Sequence, residues 1–161
     1  MQRVLVLLLA GVIVLAGCSS SKKVYTANGA TVTTDTHDNT VTVQSSEGTM
    51  KMGNNAVDVG SLGVPIYAGA TQDEGALSVS GDKGSAQMTA FTSADSFDKV
   101  YQFYHTKMPA GSEKMKLEQG ESSVAEFVTG GDKPGDVQTM VMISEKDGKT
   151  SIVITKGTNR K

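Results

Sequence analysis

The sequence predicts an α+β fold, an antiparallel sheet covered by one amphipathic helix, and three observations carry that expectation. Phe97, Val100, Tyr101, Tyr104 and Met108 recur at helical spacing and give one apolar face. The segments before and after that stretch alternate apolar and polar residues with a period of two. Those that follow it succeed one another through short turns, which favours an antiparallel meander over parallel crossovers.

Taken in order, Met1-Gln2-Arg3 gives a short positive start and Val4 to Ala16 is apolar or small. That run has the length of a signal-peptide hydrophobic region. A membrane-crossing helix needs about 20 apolar residues, and Cys18-Ser19-Ser20-Ser21-Lys22-Lys23 ends this run in polar residues. Cys18 is the only cysteine, so no disulfide can form within one copy.

Leu15-Ala16-Gly17-Cys18 resembles the lipobox of bacterial lipoproteins. The resemblance implies cleavage between Gly17 and Cys18, a diacylglycerol thioether on the Cys18 sulfur, and often acylation of the new amino group, with a fatty acid such as palmitate. Each buried methylene contributes about 0.8 kcal/mol, so one chain holds weakly and two or three hold firmly. Lys22 and Lys23 would add about 1 kcal/mol each near anionic head groups. By the same resemblance, Ser19 after the cysteine permits export to the outer membrane, facing the periplasm, in a Gram-negative host. In a Gram-positive host the protein would sit on the outer face of the cell membrane.

Residues 1–17 are thus expected to be removed, residues 18–26 to form a lipidated tether, and residues 27–63 to form a Thr/Ser/Gly-rich region with weak strands. The formal charge is −2 at pH 7, and beyond the leader Arg160 is the only arginine. Such a chain is poorly equipped to grip phosphates, so nucleic-acid binding is set aside. Thr31–Thr34, Thr40–Val43 and Thr49–Met52 read as short strands, with Asp38-Asn39 as a turn. Asn54 to Gly63 reads as a loop.

Residues 64–156 are expected to form the compact domain, with 157–161 a polar tail. Pro65 suits a strand start or edge, because it cannot donate to a ladder. Gly69 suits a turn of positive φ. Ala76–Ser80 and Ser85–Thr92 form a hairpin through Gly81–Gly84, with Leu77 and Val79 on one face of the first strand and Ala86, Met88 and Ala90 on one face of the second. Ser96 caps the helix, Asp98 favours its positive end, and Pro109 stops it. Strands are then expected over 113–119, 122–129, 137–144 and 150–156. Gly130 to Asp136 makes a loop, and Asp147-Gly148 gives a strong hairpin signal.

Two segments are similar to an uncharacterised group of bacterial lipoproteins. Val64-Pro65-Ile66-Tyr67-Ala68-Gly69-Ala70 resembles a V-P-I-Y-P-G-A signature, with Ala68 in place of the usual proline. Thr92 to Tyr104 resembles a T-x-D-S-x-x-x-V-x-x-F-Y helix start. No tryptophan follows the Gly111 turn, which is a second departure. The resemblance implies a fold and brings no activity.

Candidate chemistry is thin. His37 and His105 are the only histidines, and no His/Cys cluster suggests zinc or another metal, nor does any motif call for a cofactor. Nucleophilic triads have no recognisable motif. Gly130–Gly135 lacks the Gly-Lys-Ser/Thr ending of a phosphate loop. Met50-Lys51-Met52 and Met140-Val141-Met142 would each point two thioethers to one side of a strand, and thioethers suit Cu(I), although methionine also fills core gaps. The expectation is therefore a lipid-anchored, non-enzymatic cell-envelope protein that binds a partner protein or envelope component. The alternatives are a hydrolase or sugar-processing enzyme built on carboxylates such as Asp95, Asp98, Glu113 and Glu126, Cu(I) binding by the Met pairs, and a purely structural lipoprotein.

Overall fold

The computed structural model describes residues 21–120 and 122–159. Cys18, Gly17 and the rest of the leader lie outside the described residues. Eleven strands form one sheet: β1 Lys22–Ala27, β2 Ala30–Asp35, β3 Thr40–Ser45, β4 Gly48–Gly53, β5 Ala70–Gln72, β6 Leu77–Gly81, β7 Gly84–Ser93, β8 Glu113–Gln119, β9 Ser122–Gly130, β10 Val137–Lys146 and β11 Lys149–Asn159. A 3-10 turn spans Val59–Leu62 and helix α1 spans Phe97–Lys107. The spatial order is β1-β2-β3-β4-β6-β7-β11-β10-β9-β8, with β5 beside the end of β7. Each pairing is antiparallel.

This corrects the α+β expectation. The protein is a predominantly β structure with a single short helix. Ten strands abreast at about 4.8 Å make a sheet some 43 Å wide, whereas the 11 residues of α1 reach only about 16 Å. One helix of that length cannot cover such a sheet. Nor is the Thr/Gly-rich region a prelude to the fold. Its strands are full members of the sheet, because β4 pairs with β6 from Met52↔Leu77 to Gly48↔Gly81. The sheet starts at Lys22, inside the stretch expected to be tether, and β11 runs to Asn159, past the expected end of the compact domain.

Local signals were correct where the chain turns tightly. Asp147 (φ 54°) and Gly148 (φ 71°) both adopt the left-handed region between β10 and β11, as a type I′ hairpin requires. Asn39 does the same between β2 and β3. The expected hairpin of β6 and β7 forms through Gly81↔Gly84. The meander β8-β9-β10-β11 also forms, and its last strand returns to pair with β7, from Thr150↔Ser93 to Asn159↔Gly84. That return joins the two halves of the chain into one sheet.

The core lies on one side of the central strands. Phe91, Ala125, Phe127, Val141, Ile143, Ile152 and Ile154 point inward from β7, β9, β10 and β11 and are buried. Helix α1 covers the β9–β11 end with Phe97, Val100, Tyr101 and Tyr104. The segment 54–69 extends that cover, burying Ala56, Val57, Leu62 and Tyr67. Thr139 Oγ1 donates to the Leu62 carbonyl at 3.3 Å, and the Lys156 ammonium donates to the Ser61 carbonyl. Among the described residues, strands β1 to β4 have no second layer; their buried residues are Asp35 and Thr40.

Candidate functional site

The two segments that resemble the lipoprotein group meet in space. Tyr67 Oη donates to Asp95 Oδ2 at 2.6 Å, and Lys99 Nζ donates to Asp95 Oδ1 at 2.8 Å. The Lys99 ammonium and then the Tyr67 hydroxyl hold the Asp95 carboxyl below its ordinary range. Ser93 Oγ donates to the Gly69 carbonyl at 3.0 Å and accepts from the Asp95 amide at 3.1 Å, while Thr150 Oγ1 donates to the Asp95 carbonyl at 2.7 Å. The Tyr67 ring meets Phe103 edge-on at 5.2 Å. The φ of Gly69 is not positive, contrary to the turn expectation. Glycine is needed there for close approach, since a Cβ would lie 2.7 Å from Tyr67 Cε1 and 2.8 Å from Asp95 Oδ2. Pro65 falls in an irregular segment before β5. This constellation fastens the segment 64–69 to the start of α1.

The helix start holds a feature the sequence did not announce. Ser96 occupies the N-cap, but its side chain makes no capping hydrogen bond. The Phe97 amide instead donates to Glu145 Oε2 of β10 at 3.3 Å. A carboxylate from a distant strand thus meets the positive end of the helix. Nothing within residues 92–104 signals a cap from that far away.

At the other end of α1, Tyr101, His105 and Glu113 gather. Tyr101 Oη donates to Glu113 Oε2 at 3.0 Å, and His105 Nδ1 lies 2.9 Å from the same oxygen. A bulge between Glu113 and Met115 interrupts the β8–β9 register, and bulges re-aim side chains. Lys116 Nζ sits 4.2 Å from the Tyr101 ring centroid and pairs with Glu118 at 2.7 Å. His105, then Tyr101, holds the Glu113 carboxyl below its ordinary range. His37 lies in the β2–β3 turn, where its amide donates to Asp35 Oδ1 at 3.0 Å.

The carboxylates named as possible acids of the alternative reading have separate hydrogen-bond partners or, among the described residues, none. Asp95 is held by Tyr67 and Lys99, while Glu113 is held by Tyr101 and His105. Asp98 is exposed in the first turn of the helix. Glu126 alternates with the buried Ala125 and Phe127 and so faces away from the core. A glycosidase pair needs about 5–9.5 Å and an acid whose pKa is raised, but Asp95 and Glu113 are both shifted downward. The loop 131–136 closes on itself, with the Lys133 amide donating to Asp136 Oδ2 at 2.9 Å, so a carboxylate already occupies the amide a phosphate would seek. Among the described residues, no group of three or more His, Cys, Asp or Glu is placed to hold a metal.

The methionines of each pair share one side of their strand, as expected, and that side belongs to a wider surface. On a strand, alternate residues share a face, and directly opposed residues on neighbouring strands share it too. The pairings run Val32↔Val43↔Met50↔Val79↔Ala86↔Gly157 in one row. The next row runs Val41↔Met52↔Leu77↔Met88↔Thr155↔Met140↔Val128. A third runs Ala90↔Val153↔Met142↔Glu126↔Met115. All three rows lie on the face opposite the helix. Met50, Met52, Met88, Met115, Leu117 and Met142 are 37–52% exposed there. Of the described methionines, only Met108 is in the core. A strand without methionine separates each methionine-bearing strand from the next, so the thioethers line a broad surface and no two meet at directly opposed positions.

This outer face carries few charges: Lys23 on β1, Glu126 on β9, Lys149 at the start of β11, and Asp73, whose carboxylate accepts from Thr92 Oγ1 at 3.0 Å. Two open clefts border it, one of about 490 Å³ beside Met140, Thr155 and Ala86 under the 131–136 loop, the other of about 510 Å³ beside Val43, Met50 and Val79. The alternation within each strand was legible in the sequence. That the outward-facing residues of successive strands join into one surface depends on register between distant strands. No protein-family model matches the chain, and neither a curated protein nor a solved structure matches it.

Proposed function

We propose that this chain is a lipid-anchored cell-envelope protein that acts by binding, without catalysis, and that the outer face of its sheet is the binding surface. One observation carries the reading: the methionine- and valine-lined face stands open while the polar clusters are engaged in fastening α1. Soluble monomers rarely expose apolar patches beyond about 300–600 Å², and methionine adapts to varied partner shapes. Anchoring rests on the resemblance of Leu15-Ala16-Gly17-Cys18 to a lipobox. With lipid on Cys18, the four steps to Lys22 would hold the start of β1 within about 14 Å of the anchored sulfur. Lys22 pairs there with Asp35 at 3.3 Å, so Lys23 is the better placed of the two to meet head groups.

A photo-crosslinking residue placed at Met88 of the full chain in intact cells tests the reading, with Thr42 on the opposite face as control. The expected result is an adduct to an envelope component, identified by mass, from position 88 and not from 42. Turnover of an envelope glycan by the purified protein, with no adduct at 88, would overturn it.

A further inference from the structure

We propose that the outer face is closed by a second copy of this chain, packed face to face about a two-fold axis that runs along the strands between β6 and β7. The inference rests on the reading of this face as the binding surface and names its occupant.

The first support is extent. A strip of about 43 Å by 15 Å is roughly 600 Å² per copy, near the 800 Å² or so that each partner gives to a standard interface. The second is relief. Ala86 on β7 and Gly157 on β11 are small, while Met50 and Met52 on β4 stand tall beside them. Under that axis β4 of one copy falls over β11 of the other. The long thioethers then enter the low ground at Gly157 and Thr155, at the separation of about 10 Å typical of packed sheets. The third is charge. Lys23 lies on one flank of the face and Glu126 on the other. The two-fold sets each copy's Lys23 flank against the other's Glu126 flank. Strands β1 to β4 also gain the second layer they lack within one chain. An isolated single-layer sheet with little buried surface is marginal in water.

Cysteine crosslinking of the full chain in membranes tests this, with the unaltered chain, whose only cysteine is Cys18, as background. Ala86→Cys places a thiol on the outer face beside the axis; Ser80→Cys places one on the opposite face of the neighbouring strand. The expected result is at least tenfold more homodimer from Ala86→Cys than from Ser80→Cys, abolished by adding Met88→Lys. Circular dichroism shows whether the Met88→Lys chain is folded, and native mass spectrometry of the detergent-released unaltered chain should give twice the monomer mass. An Ala86→Cys chain that stays monomeric, with its thiol shielded by a different envelope component, would overturn self-association and leave the binding reading standing. A monomer with a freely reactive thiol at position 86 would overturn both.

Discussion

Replacing Tyr104 with phenylalanine should stabilise the protein, because the ring is fully buried and its hydroxyl has no hydrogen-bond partner among the described residues. The hydroxyl faces the Tyr67 amide without reaching hydrogen-bond geometry, and burial pushes its pKa up to about 12. An unsatisfied buried hydroxyl costs about 1–3 kcal/mol. Its removal keeps the ring contacts with Phe103 at 5.1 Å and Phe127 at 6.2 Å. A gain of about 1 kcal/mol and a rise in Tm of about 4 °C are expected. The pH dependence gives a second reading. The pKa in the folded state lies above that of an unfolded tyrosine, so the native state holds the proton longer. The corresponding stability is fully present below pH 10 and is lost as pH rises towards 12, at about 1.4 kcal/mol per pH unit. The variant should lack that share of the alkaline loss. Urea midpoints at pH 7, 9 and 11 measure both effects. A variant less stable than the parent at pH 7 would show that the hydroxyl makes a bond the geometry denies.

Three other outcomes follow from the clusters. Gly69→Ala drives a Cβ into the Tyr67 ring and the Asp95 carboxylate, so a loss of about 1–3 kcal/mol is expected from urea unfolding. Glu113→Gln should lower stability at pH 7 and flatten the acid limb. The depressed Glu113 pKa contributes stability above 4.5, its ordinary value, that is lost as pH falls through the lower folded value; urea midpoints from pH 7 to 3 read it. Cu(I) titration of the protein should show no more affinity than a variant lacking Met50, Met52, Met140 and Met142, since each pair offers two thioethers and the strands beside it add no third.

Local chemistry in the sequence reached the helix, the Asp147-Gly148 hairpin and the β8–β11 meander, because those depend on neighbours. It did not reach β1. Lys22–Ala27 buries no residue, so no core face imposes a pattern, and it forms by pairing with β2. Nor did it reach the joins between β4 and β6 and between β11 and β7, which fix register across distant segments and turn an expected helix-covered domain into one wide sheet. The same limit applies to the candidate site. Each Met-x-Met pair was visible, but a common outer face follows only when all the registers are known. The Glu145 cap on Phe97 and the Glu113 partnership with His105 are likewise products of tertiary structure.

The reading of this chain as an anchored binding protein is tested most directly by the intact mass of the protein extracted from membranes, with sequencing of its first peptide. The account predicts a chain that begins at Cys18 and carries diacylglycerol on its sulfur. An intact leader, or a free Cys18 thiol on a protein recovered from the aqueous fraction, would contradict it.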